Sequence, residues 1–461
     1  MSESTPRRIR SINPADGSLI AEYEPHDRET VDAALDRSRA AFERRRSEAP
    51  HTYTENLHAL PAALRAHSCD LAALITREMG KPSQQATAEV EKSAWVCEFY
   101  ADHAADMLAA EPVDIAGRDT FVQFLPLGPV LAIMPWNYPL WQVLRAAAPI
   151  LSSGNTLLIK HAENVTGCAL ALQEVFEEAG FGDGVVQTLL LDGPSASALI
   201  GDDRIAAVTL TGSERAGVAV GTAAGHAIKK CVLELGGSDA FIVLDDADLA
   251  DAARTAVNAR FQNAGQSCVA AKRFIVVDAV ADEFIEQFVN GTAKLVTGDP
   301  TDEGTDVGPM ARRDLRDELA GQVQRAIDSG DKVLLGGLPT DEPGAFYPPT
   351  IVEVAGPHSP LMQEETFGPV AAVIRVPDET AAIALANSSR YGLSSSLWTK
   401  DLDRAARITR QLDAGGCFVN TMTASDPRIP FGGVKKSGYG RELGSFGLRE
   451  FVNVQTVSIS H

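Results

Sequence analysis

The stretch GPVLAIMPWNYP (Gly128–Pro139), followed by TLLIK (Thr156–Lys160) and CALALQEVFEEA (Cys168–Ala179), decides the fold class. Val130–Met134 and Thr156–Ile159 are short apolar runs, which predict strands buried on both faces. Cys168–Ala179 has helical spacing. Val185–Leu191 and Ala206–Thr211 predict two further strands, each ending at a turn with glycine or serine. Strands alternating with helices imply an α/β fold with a parallel, doubly wound sheet. In such sheets ligands sit at the carboxyl ends of the strands.

Downstream, a second alternating series begins. Phe241–Leu244, Arg273–Val277, Val333–Leu335, Ala371–Arg375 and Cys417–Asn420 predict strands, with helices over Leu249–Ala264 and Asp282–Lys294. The junction between the two series falls near Leu235-Gly236-Gly237. Upstream, Arg28–Arg46, Thr52–Met79 and Glu89–Leu108 predict helices, the first capped by Asp27 and the second closed by Gly80. Arg44-Arg45-Arg46 is expected on a solvated helix face. Phe121–Leu144 has no charged residue and is long enough to cross a bilayer. Its four prolines, at 126, 129, 135 and 139, break any continuous helix, so buried strands and turns are expected instead.

Composition narrows the function. The chain has 461 residues with 41 Lys+Arg against 62 Asp+Glu, a formal net charge of −21. That balance argues against a nucleic-acid partner, which calls for a basic patch. The six cysteines form no CxxC pair, so no metal site of that type is expected. Scattered thiols, behind a start MSESTPRRIR with no apolar leader core, point to the cytoplasm.

Several residues can carry chemistry. Cys268 closes Gly265-Gln266-Ser267-Cys268 beside a helix end, where backbone amides stabilise a thiolate; a buried inert thiol is the alternative. Glu234 ends an apolar strand, where desolvation raises a carboxyl toward general-base use; a surface or ion-paired glutamate is the other reading. Asn137, in the proline-held turn Pro135-Trp136-Asn137-Tyr138-Pro139, can donate to a developing oxyanion or serve its own backbone. Lys160 and Glu163 follow a strand and could hold ribose hydroxyls. Gly212 and Ser213 open a helix suited to phosphate oxygens. Glu365 and Phe367 could hold a ribose and stack on a nicotinamide, or form an ordinary turn. Neither GxGxxG nor a Walker P-loop is present, so a nucleotide would need another turn.

In order, Pro135-Trp136-Asn137, Lys160, Thr211-Gly212-Ser213, Glu234-Leu235-Gly236-Gly237, Gly265-Gln266-Ser267-Cys268, Glu364-Glu365-Thr366-Phe367-Gly368-Pro369 and Pro430-Phe431-Gly432-Gly433 stand at the spacing of one family. The chain resembles the aldehyde dehydrogenase superfamily from Asn13-Pro14 to its end. It looks closest to the bacterial succinate-semialdehyde dehydrogenase branch.

The resemblance implies two doubly wound parallel-sheet domains plus a small oligomerisation β-hairpin. The dinucleotide-binding domain would take residues 1–106 and 126–235, the catalytic domain 236–445, and the arm 107–125 and 446–461. It makes Cys268 the nucleophile, Asn137 an oxyanion donor and Glu234 the base that releases a free acid. Trp136, Lys160, Glu163, Gly212, Ser213, Glu365 and Phe367 would contact the cofactor. Glu163 beside a ribose diol favours NAD, with NADP as the alternative, and His161 departs from the family's proline. Arg145 matches a substrate-carboxylate arginine, Gln262 stands where some relatives have a second one, and Ser425 lies in the matching late loop. The implied activity is oxidation of succinate semialdehyde or a similar short semialdehyde by a homodimer or homotetramer, with no nucleic-acid or membrane partner and no metal. A broad-specificity aldehyde dehydrogenase and a silent binding protein on the same fold are the alternatives.

Overall fold

The computed structural model describes residues 8–48, 50–339 and 343–460. The first part of the charged start, residues 1–7, lies outside them.

Two open sheets dominate. The first has six strands in the order Gly438–Tyr439, Lys230–Glu234, Ala207–Thr211, Pro129–Ile133, Thr156–Lys160 and Val186–Thr188. All neighbours are parallel except Gly438–Tyr439. The period-two alternation of a strand sends side chains to two cores. Val130, Ala132, Leu157 and Ile159 pack with Leu57, Leu64 and Val90, and Leu131, Leu158 and Leu210 pack with Val31 and Leu35 on the other face. The helix Arg28–Arg45 begins as expected at Asp27, whose Oδ1 accepts from the Thr30 N–H at 2.8 Å.

The second sheet has seven strands in the order Lys332–Leu335, Thr350–Glu353, Val370–Val376, Ala271–Val277, Asp239–Val243, Ser394–Trp398 and Gly416–Val419. Only the first pair is antiparallel. Ala240 and Ile242 face one apolar layer, and Phe241 and Val243 face the other. A third sheet, Val452–Ser460, Arg118–Pro126 and Glu111–Ile115, is wholly antiparallel and stands apart from both.

Five expectations are corrected. The helical rhythm over Thr52–Met79 is broken into a 3-10 turn, Pro50–Thr54, and helices Glu55–Ala66 and Ser68–Met79. The chain turns at His67 so that both apolar faces meet the long helix Ser83–Met107. Phe121–Leu144 is not wholly buried strand: Leu125 is exposed in the third sheet, and Trp141 begins the helix Trp141–Ser152. Val185–Leu191 pairs only over Val186–Thr188. The helix Leu249–Phe261 stops three residues before Ala264, for a reason given below. Arg45 is buried rather than solvated, donating to the Leu151 carbonyl and lying 5.3 Å from the Tyr53 ring.

The patterns also missed the hairpin Ile9–Ile12/Leu19–Tyr23, the helix Trp141–Ser152, and the buried strands Thr350–Glu353 and Ser394–Trp398.

Candidate active site

Cys268 sits on a loop that the backbone is forced to make. After Phe261 three successive residues, Asn263, Ala264 and Gly265, have positive φ of 55°, 52° and 69°. Gln262, extended at φ −56° and ψ 145°, ends the helix, and the left-handed run follows it. Gly265 is required twice over: its φ favours glycine, and a Cβ there would lie 2.4 Å from the Gly368 carbonyl oxygen.

The loop is then bonded from three sides. Asn137 Nδ2 donates to the Gln266 carbonyl at 3.1 Å, and Asn263 Nδ2 donates to the Asn137 carbonyl at 2.9 Å. The Ala311 N–H donates to Gln266 Oε1 at 2.9 Å. Lys272 Nζ, fully buried, donates to the Ser267 and Cys268 carbonyls at 2.9 and 2.7 Å. Asn137 is itself buried, and its Nδ2 has no second acceptor among the described residues.

Burial pushes the Cys268 thiol up to about 11; the charges of Arg145 and Lys272 oppose the rise, and Glu234 and Asp239 add to it. Of the two readings of Cys268, burial favours the thiol in the unliganded site. The other five cysteines lie within helices or strands, as expected.

Glu234 ends its strand fully buried. Its carboxyl is raised well above the carboxylate range, first by burial and then by the charge of Glu442. Neither Glu234 oxygen has a hydrogen-bond partner among the described residues. The Pro430-Phe431-Gly432-Gly433 turn passes directly over it: a Cβ on Gly432 would lie 2.6 Å from Glu234 Oε1. Two orphaned buried acceptors favour a bound water or substrate group.

The turn carrying Asn137 is fixed by residues without an obvious signature. The Leu140 and Trp141 N–H groups donate to Glu89 Oε1 at 2.9 and 3.1 Å. Glu89 is paired with buried Lys81, whose Nζ lies 3.7 Å from the Tyr138 ring centroid. His161 Nε2 donates to the Pro139 carbonyl at 2.8 Å, while its Nδ1 accepts from the Ala162 N–H. Burial drives His161 down to about 4, so the ring is neutral. His161 thus clamps the Lys160 loop to the Asn137 turn.

Of the residues expected at the cofactor, Ser213, Glu365 and Phe367 line one cleft of about 360 Å³. Ser213 caps the helix Glu214–His226, accepting from the Ala216 N–H at 3.3 Å, and the Gly212 N–H donates to the Glu234 carbonyl. Trp136 meets Phe367 edge-on with centroids 5.6 Å apart. Glu365 is already engaged: its Oε1 accepts from the Gly237 N–H at 3.0 Å and lies 3.4 Å from Lys272 Nζ. Lys160 and Glu163 lie at the carboxyl end of Thr156–Lys160, outside the lining of that cleft. Lys160 is buried and lowered by desolvation, which the charges of Glu163 and Asp192 oppose without a hydrogen bond or close ion pair among the described residues. Glu163 is exposed.

Arg145, Gln262 and Ser425 come together with Cys268 around a cavity of about 450 Å³. Asn137 and Glu234 do not line it. Arg145 is fully buried between Glu442, against its Nε, and the Phe431 ring, 4.6 Å from its guanidinium carbon. Sequence reading missed Glu442, Lys272, the Lys81–Glu89 pair and Lys92, which also lines this cavity. Each is an ordinary charged residue in sequence, and only its partner in the folded chain marks it.

The aldehyde dehydrogenase family model matches residues 1–457. The NAD(P)+ succinate semialdehyde dehydrogenase Sad of Escherichia coli (strain K12) is 50% identical over 447 residues, 97% of each chain. A probable NADP(+) succinate-semialdehyde dehydrogenase of Synechocystis sp. (strain ATCC 27184 / PCC 6803 / Kazusa) is 48% identical over 98% of this chain and 100% of its own. The solved succinic semialdehyde dehydrogenase of Streptococcus pyogenes, in complex with NADP+, superposes with a TM-score of 0.96 at 33% identity, covering 98% of this chain and 100% of that one.

Proposed function

The chain belongs to the aldehyde dehydrogenase family, and from that premise we propose that it oxidises succinate semialdehyde, or a similar short semialdehyde, to the free carboxylic acid with NAD(P)+. The observation that carries the substrate class is the sharing of one cavity by Cys268, Arg145 and Ser425, supported by relatives of that name at about half identity.

Cys268 gives its proton to solvent water, and its sulfur adds to the aldehyde carbon, leaving a thiohemiacetal whose oxygen carries the charge. The free N–H of Asn137 and the Cys268 backbone N–H donate to the oxygen as it gains charge; one such donor is typically worth about 3 kcal/mol. Oxidation of this adduct to a thioester needs a hydride acceptor, which a bound nicotinamide would supply. Glu234 then takes a proton from water, whose oxygen attacks the thioester carbon and releases the acid and the thiol. Burial and the charge of Glu442 raise this carboxyl, which strengthens Glu234 as a base once it is ionised.

A dinucleotide fits the residues present. Lys160 is a buried ammonium without a hydrogen bond among the described residues at a strand's carboxyl end, Ser213 opens a helix N-terminus, and Trp136 and Phe367 offer aromatic surface. Lys160, Glu163, Gly212, Ser213, Glu365, Phe367 and Trp136 would hold it, Glu365 after leaving Lys272. Glu163 repels a 2′-phosphate and favours NAD; the relatives named for NADP(+) favour the alternative.

Residues 1–106 and 126–235 would then form the dinucleotide-binding domain and 236–445 the catalytic domain, with 107–125 and 446–461 building a homodimer or homotetramer. Six free cysteines suit a reducing cytoplasm, and no helix among the described residues is long and apolar enough to cross a membrane.

One observation favours broad specificity: Arg145 is already engaged by Glu442, and Gln262 brings no charge. Steady-state kinetics with succinate semialdehyde and butanal, each with NAD+ and NADP+, decide. We expect a higher kcat/KM for the anionic aldehyde. Equal values would leave the broad-specificity enzyme.

A further inference from the structure

The cavity around Cys268 holds a second cation whose charge is less committed than that of Arg145. Lys92 lies on the helix Ser83–Met107, and its Nζ donates to Ser425 Oγ at 3.0 Å. It also lies 4.3 Å from the Trp141 ring centroid. A hydroxyl and an indole face orient an ammonium without neutralising it. Among the described residues no carboxylate comes within ion-pair distance of Lys92. Arg145 differs: Glu442 stands against its guanidinium and Phe431 covers it. Breaking so buried a pair to admit a ligand leaves Glu442 without its counter-ion, which is strongly unfavourable. The same cavity lacks charge at Gln262.

We propose that Lys92, with the Ser425 hydroxyl, receives the carboxylate of the substrate and sets the preference for an anionic aldehyde. The inference rests on the semialdehyde reading above and names the residue behind it. Because Nζ donates into Ser425 Oγ, the serine proton is left to point elsewhere. An anion there would accept one charge-assisted bond from the ammonium and one bond from the hydroxyl. Arg145 then positions Glu442 beside Glu234 and tunes the site's charge.

The geometry adds a pH readout. Lys92 is faced by Glu89 on its own helix, by Arg145 from Trp141–Ser152, by Cys268 from the loop before Ala271–Val277, and by Asp426 after Ser425. Arg254 and Asp306 line the cavity as well. Burial first, and Arg145 second, bring Lys92 down to about 8. The substrate carboxylate stays ionised above pH 6, so raising the pH removes only the lysine charge. Titration of Cys268 or Glu234 affects both aldehydes and cancels in a ratio.

The test is the ratio of kcat/KM for succinate semialdehyde to that for butanal, measured in wild type, Lys92→Met, Lys92→Arg and Arg145→Met from pH 6.5 to 9.5. We expect the wild-type ratio to fall as pH rises through about 8. In Lys92→Met it falls about ten- to a hundred-fold at pH 7, the scale of a lost charge-assisted hydrogen bond. Lys92→Arg keeps the preference and shifts the alkaline fall upward.

A Lys92→Met enzyme that keeps the wild-type ratio overturns the proposal, as does loss of the ratio in Arg145→Met alone. Should Lys92→Met fail to fold, a wild-type ratio flat across this pH range overturns it equally. A wild type that does not prefer the anion at any pH instead refutes the semialdehyde reading on which the proposal stands.

Discussion

At the residue scale the site is a set of groups held away from their ordinary protonation by burial. The Cys268 thiol at about 11 is the clearest case. Two cations, Arg145 and Lys272, oppose the rise, yet desolvation prevails. The unliganded enzyme therefore holds its nucleophile as a thiol, and activation belongs to the loaded site. The sign for chemistry is direct: an acid whose pKa is raised ionises less at neutral pH, and its reactivity grows as pH climbs toward that value. Alkylation of Cys268 by iodoacetamide in the cofactor-free protein, followed by peptide mass spectrometry, is expected to accelerate about tenfold per pH unit up to pH 10. A rate that levels off near pH 8 would mean an ionised thiol at rest. Glu234 is legible as a strand-end carboxylate, but not its coupling to Glu442, which comes from a turn two hundred residues later.

At the element scale the main device is a pair of turns locked to one another. Pro135–Pro139 supplies Asn137, and residues 262–268 supply Cys268; each uses the other's carbonyls as acceptors. The prolines restrict the first turn, and the left-handed run restricts the second. Beneath the first turn lies the Lys81–Glu89 pair, bonding helix Ser83–Met107 to the start of Trp141–Ser152. Removing one partner of a buried pair leaves the other charge uncompensated, typically costing about 3–5 kcal/mol. Glu89→Ala is therefore expected to lower the denaturant midpoint without changing m, and to reduce turnover by loosening Asn137. Chemical denaturation measures the first effect and kcat the second. A variant with unchanged midpoint and kcat would show the pair to be dispensable. Nothing in the spacing of Lys81 and Glu89 announces this role, since eight residues separate them and a helix start intervenes.

At the scale of the whole molecule the third sheet is unlike the other two. Val452–Ser460 is a nine-residue edge strand paired on one side with Arg118–Pro126, and Val454 and Ile459 on it are exposed. A long edge with exposed apolar residues is a template for pairing with another chain. We expect the protein to sediment as a dimer or tetramer and Val454→Asp with Ile459→Asp to shift it toward monomer; a monomeric wild type would contradict this. Sequence alone determined the alternation of strands and helices, the seven motifs and their order, because strands buried on both faces are apolar in any context and the reacting groups are rare residue types. It also located the turns, since glycine and proline restrict the backbone locally. It did not reveal Ser394–Trp398, whose serines are buried only because neighbours accept from their hydroxyls, as Thr421 does from Ser396. Nor did it reveal that Arg145 is matched by Glu442 or that Lys92 stands beside Ser425. Those pairings join residues hundreds of positions apart, and an electrostatic environment is a property of neighbours in space, which exist only once the chain has folded.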